Sequence, residues 1–158
     1  QVLKNLVTKH QDDLECTTTS IEFLGMIYKV SPSIHHDLID DWFKRVITYD
    51  LKISDAVVKK IANSNYEVSF SLAAQRFITQ KDGSTLPIEI NEPIQIGVFN
   101  KHPKNVNTHV QTLHLEAHQI TTNEMEFKIV VDELPTHIAI DPFGTRLDDN
   151  RVDNVHAL

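Results

Sequence analysis

Apolar residues recur along this chain with two different periods, and the change falls near residue 65. In the first part they lie three or four apart: Leu3, Leu6, Val7, His10 and Leu14, then Ile21, Leu24, Ile27 and Tyr28 after the cluster Thr17-Thr18-Thr19-Ser20. That spacing puts apolar side chains on one stripe of a helix, and the hydroxyl cluster supplies cap acceptors. A third helix is the clearest expectation: Ser31 caps it and Pro32 suits its first position. Ile34, Leu38, Trp42 and Val46 with Ile39, Phe43 and Ile47 then form one wide stripe, opposite Asp40, Asp41, Lys44 and Arg45. A fourth, short helix is expected from Ser54, burying Val57, Val58 and Ile61. Asn63-Ser64-Asn65 would stop it, because asparagine tolerates the left-handed backbone that ends helices.

From Tyr66 the pattern alternates: Tyr66, Val68, Phe70 and Leu72 on one face oppose Glu67, Ser69, Ser71 and Ala73 on the other, as in a half-buried strand. Further strands are expected at 86–90, 94–100, 108–120, 124–131 and 136–140. They are separated by the turn signals Lys81-Asp82-Gly83-Ser84, Asn91-Glu92-Pro93, His102-Pro103-Lys104-Asn105, Thr121-Thr122-Asn123 and Asp132-Glu133-Leu134-Pro135. Short strands at this spacing with no intervening helix point to an antiparallel sheet structure. The expected fold class is therefore α+β: a helical segment over residues 1–63, then an antiparallel immunoglobulin-like β-sandwich over 66–158 with a C-terminal tail.

Composition narrows the function. With 158 residues, 41% of them hydrophobic, the chain can bury a real core. No apolar run approaches the roughly 18 residues of a membrane-spanning helix, so direct membrane insertion is not expected. The start, Gln-Val-Leu-Lys, has neither an initiating Met nor a signal-peptide pattern and is expected to be a cut within a longer chain. Asp and Glu number 22 against 15 Lys and Arg, and the net charge of −7 argues against nucleic acid as a partner. The single Cys16 can form no internal disulfide and is expected to be a small buried thiol.

Three clusters offer chemistry. His114-Leu115-Glu116-Ala117-His118 is similar to the zinc-protease pattern His-Glu-x-x-His, but the register differs: there the Glu directly follows the first His on a helix, whereas Glu116 sits one position late. On the expected strand, Leu113, Leu115 and Ala117 would face inward, and His114, Glu116 and His118 outward as solvated polar groups. Alternate residues share a face, however, so the row could also supply two or three ligands to zinc. His35-His36-Asp37 with Asp40 and Asp41 lies in the early part of the third helix, where acidic groups suit the helix dipole. The tail residues Asp141, Asp148, Asp149, Asn150, Asp153 and Asn154 fail the EF-hand pattern, with Asp153 where glycine is needed, and are expected to form a hydrogen-bonded surface tail. Gly-x-Ser-x-Gly is absent, and four glycines leave no phosphate-cradling loop. No catalytic, cofactor-binding or metal-binding residue is therefore expected within this chain.

The end of the chain, PTHIAIDPFGTRLDDNRVDN over Pro135 to Asn154, resembles the C-terminus of certain bacterial membrane proteins. These join an ABC-transporter-permease-like region to a thermolysin-like (gluzincin) zinc aminopeptidase and finish in Gly-Ile-Asp-Pro followed by an Arg/Asp/Asn-rich tail. Leu38 to Asp50 looks like that family's helix ending in an aromatic, Ile/Thr and Tyr-Asp, and Ile94-Gln95-Ile96-Gly97-Val98-Phe99 adds a third matching segment. The resemblance implies a non-catalytic C-terminal accessory domain of a membrane-anchored, extracytoplasmic protein. Zinc and the His-Glu-x-x-His helix would lie upstream, and the upstream peptidase domain would be the principal partner. The alternative is a stand-alone immunoglobulin-like module that binds another protein.

Overall fold

The computed structural model describes residues 1–11, 19–104 and 110–158. Cys16, Leu14 and Thr108 lie outside that set. The chain forms two compact units, Gln1–Val46 and Ile47–Leu158.

Among the described residues the first unit holds three short helices, α1 (Val2–His10), α2 (Ser20–Val30) and α3 (His36–Phe43). Thr19 caps α2 by accepting from the Glu22 amide at 3.2 Å, and Glu22 takes the His10 ring at 3.1 Å and the Lys9 ammonium. The expected long third helix is shorter. Pro32 precedes a single 3₁₀ turn, Ser33–His35, and the α-helix ends at Phe43, so the stripe from Ile34 to Ile47 is not continuous. Only Ile39 of α3 is buried, while Ile34 and Trp42 remain 83% and 62% exposed. Asp40 instead anchors a polar cluster. It accepts from Tyr28 and pairs with Lys44 at 2.8 Å, and the ammonium sits 5.0 Å over the Tyr28 ring. The hydrogen bond from Lys44 and then that from Tyr28 hold the Asp40 carboxyl below its ordinary range.

The second unit corrects the expected helical segment 1–63. Strand β1 spans Val46–Lys60 and replaces the helix expected from Ser54. Ile47, Tyr49, Leu51 and Ile53 point inward in strict alternation, with Thr48, Asp50 and Lys52 between them. Asp55 takes a left-handed backbone (φ 52°), and beyond it the inward parity shifts by one, so that Ala56 and Val58 pack on the core. β-Branched Ile, Thr and Val favour this extended backbone, and of the residues expected on the buried face of a helix Val58 packs on the core while Val57 is exposed. Asn63 adopts the expected left-handed conformation (φ 59°), but in a turn that links two strands and not at a helix end.

Among the described residues seven more strands follow: β2 (Tyr66–Thr79), β3 (Thr85–Ile88), β4 (Glu92–Phe99), β5 (Thr112–Ile120), β6 (Glu124–Val131), β7 (His137–Ile140) and β8 (Val155–Ala157). They form two four-stranded sheets. In the first, β2 lies beside β1 and pairs antiparallel with β6 over residues 66–73 and with β3 over residues 76–79. The second runs β5-β4-β7-β8, all antiparallel. One core joins them, with Val68, Phe70, Leu72 and Ile129 from the first sheet and Ile94, Ile96, Val98, Ile138 and Ile140 from the second. The protein is thus α+β, with antiparallel sheets in a sandwich-like arrangement. Among the described residues, no helix is long and apolar enough to cross a membrane.

Candidate functional sites

Two constellations stand out, one at the corner after β7 and one on β5. At the corner, Asp141 is 2% exposed and adopts a left-handed backbone (φ 43°). Its Oδ1 accepts from the Thr145 amide (2.9 Å) and hydroxyl (2.6 Å), and its Oδ2 from the Arg146 amide (2.9 Å). Burial without a cation is tolerable because three donors replace the lost water. Gly144 completes the turn at φ 65°, where an added Cβ would collide with the Arg151 guanidinium.

This corner aims Arg146 at Glu92, the first residue of β4 and a buried carboxylate. Arg146 Nε donates to Glu92 Oε2 at 2.9 Å, Arg76 approaches Oε1 at 3.4 Å, and Tyr49 donates its hydroxyl to Oε1 at 2.7 Å. Burial, and after it the neighbouring Glu92 carboxylate, push the Tyr49 phenol well above its ordinary range, so it remains a donor. The network ties β1, β2, β4 and the tail together; it is a structural clasp. Sequence reasoning missed it because its members lie far apart in the chain and only Glu92 stands within a recognised turn signal.

The acidic tail is likewise engaged in the fold. Asp148 Oδ2 accepts from the Leu51 amide at 3.1 Å, and the carbonyls of Leu147 and Asp153 accept from Tyr49 (2.8 Å) and Ile53 (3.1 Å). Residues 147–153 therefore cover the edge of β1, which would otherwise present open hydrogen-bonding groups. The expectation of a surface tail needs correction at Asp141 and Asn154, both buried. The tail carboxylates do not converge on a common point. His35, His36 and Asp37 do not converge either: His36 Nε2 lies 3.2 Å from the Ser31 carbonyl, and its ring packs edge-on to Tyr28.

On β5 the outcome differs from expectation. His114, Glu116 and His118 pair in register with Val98, Ile96 and Ile94 of β4, all three fully or nearly fully buried. Residues opposite each other across an antiparallel pair share a face, so the row lies on the inward face at the margin of its sheet and not on the outward face. Ala117, expected inside, is exposed. The His118 ring stands 5.3 Å from Phe127 of β6, across the interior, and 6.0 Å from the His114 ring. The Nε2 atoms of His114 and His118 are both buried without a hydrogen-bond partner. Burial first of all lowers the His114 pKa, with Glu116 opposing and His118 adding to the shift, so the imidazole is neutral at pH 7. Each of the three side chains can offer one ligand atom, all within 4.8 Å of one another, and among the described residues this is the one convergent group of three or more His, Cys, Asp or Glu.

Comparison with protein-family models, with curated proteins and with solved structures finds no match to this chain.

Proposed function

We propose that the chain is a non-catalytic, immunoglobulin-like accessory domain at the C-terminal end of a membrane-anchored aminopeptidase-like protein, bracing an upstream zinc peptidase domain or shaping access to it. The observation that carries this reading is the corner after β7. The Ile-Asp-Pro run and its Arg/Asp/Asn-rich tail, the segment that carries the resemblance, form an integral clasp in which Asp141, Arg146 and Asp148 each engage a defined partner. Of the two other matching segments, Leu38 to Asp50 runs from α3 into β1, where residues 46–50 open the strand, and Ile94 to Phe99 lie in β4. Two of the three matching segments thus lie in the framework of the second unit. Neither the zinc-protease motif nor a Gly-x-Ser-x-Gly nucleophile elbow occurs in the sequence, in keeping with a supporting role.

The test is the reading frame upstream of the Gln1 codon. Hydrophobic spans together with a His-Glu-x-x-His helix and a further Glu are expected there. Finding neither overturns this reading and leaves a stand-alone binding module.

A further inference from the structure

We propose that His114, Glu116 and His118 of β5 form a binding site for one divalent transition-metal ion of the zinc class. The site stands on β5 and its packing alone, and it holds or fails independently of the accessory-domain reading.

Three independent features support it. First, positions i, i+2 and i+4 of a strand project to one face, and pairing with Ile94, Ile96 and Val98 fixes the backbone that carries them. Second, the ligand atoms already lie within 4.8 Å of one another. Tetrahedral zinc with bonds of about 2.1 Å separates its ligands by about 3.4 Å, so a closure of about 1.4 Å or less, within reach of side-chain rotation, completes the shell. Third, two buried imidazole nitrogens lack any partner, although such groups are normally satisfied. A metal ion that both rings ligate resolves this deficit, and the exposed Glu116 carboxylate provides charge neutralisation from the solvent side.

The donor set is two imidazoles and one carboxylate, which suits zinc and its borderline neighbours better than calcium or magnesium, both of which prefer oxygen throughout. Three protein ligands leave a fourth position for water or for a group from a partner. Phe127 closes the interior side at His118 and would keep that ring in place. Because β5 lies at the edge of its sheet and is followed through Thr121 to Asn123 by β6 of the other sheet, bound metal would rigidify the margin where the two sheets meet.

The experiment is equilibrium dialysis of the full chain, stripped with EDTA, against zinc chloride, with metal measured by atomic emission. It is paired with cobalt(II) substitution and with NMR of the histidine ring signals. One zinc per chain is expected, with visible cobalt bands of tetrahedral intensity and zinc-induced shifts at His114 and His118 among the nine histidines. The double variant His114→Gln/His118→Gln should weaken binding at least about a hundredfold and Glu116→Gln about tenfold. Absence of retained zinc, unchanged affinity in a folded double variant, or ring shifts confined to other histidines would each overturn the proposal. The NMR reading on the unmodified chain decides the matter even if the double variant does not fold.

Discussion

Glu92 is the residue at the centre of the buried clasp. Two guanidinium groups and one phenol surround its carboxylate, and Glu92→Ala would leave Arg76 and Arg146 facing each other in a poorly solvated corner. Breaking a buried pair in this way costs about 3 kcal/mol or more, which a urea titration would record as a lower midpoint with unchanged slope. Asp141→Ala removes the acceptor of three hydrogen bonds and should cost about 2–3 kcal/mol by the same measurement. Tyr49 gives the alkaline limit. Its pKa is raised in the folded state, so the stability that its neutral form contributes is complete below the unfolded value of about 10 and is lost as the pH climbs beyond it. Tyrosinate absorbance should therefore reach its full amplitude only when the domain unfolds, and Tyr49→Phe should flatten that alkaline loss.

At the scale of elements, β1 shows where sequence periodicity misleads. Alternation over Ile47 to Ile53 was present in the sequence, but the left-handed Asp55 shifts the inward parity to Ala56 and Val58, which breaks the alternation where a helix was expected. A β-branched residue at that backbone position should be strained, so Asp55→Val is expected to destabilise by about 1–2 kcal/mol, whereas Asp55→Gly should be tolerated; thermal unfolding of the two variants compares them directly. In the second sheet, His114 on β5 and His137 on β7 both have pKa values lowered chiefly by burial. Groups with a depressed folded pKa contribute stability above the unfolded value, about 6.5 for histidine, and lose it as the pH falls. The urea midpoint should therefore be lower at pH 5.5 than at pH 7.5, and His114→Gln should shrink the difference.

For the molecule as a whole, the shared core lies entirely within residues 47–158, with no member from α1, α2 or α3. A fragment beginning at Ile47 should therefore fold by itself with one cooperative thermal transition; a fragment that remains unfolded would contradict the division into two units. What was legible in advance follows the strength of the local signals. Asp82 and Gly83 specify their turn, with Asp82 Oδ1 accepting from the Ser84 amide at 3.0 Å and Gly83 at φ 86°, and the strands from Tyr66 to Ile140 fall close to their expected places. Less was legible of the candidate site, because the spacing of His114, Glu116 and His118 shows that they share a face but not which face it is.

The sequence by itself determined the antiparallel strands after residue 65, their turns and the common face of the histidine row, because each depends on neighbours within a few positions. Only the tertiary structure decided that the row turns inward beside Ile94, Ile96 and Val98, and that Glu92 gathers Tyr49, Arg76 and Arg146 from across the chain. Inward and outward are set by which strand a strand pairs with, and burial of a charge by which partners arrive to solvate it. Both are consequences of contacts between residues distant in the chain, which local periodicity does not encode.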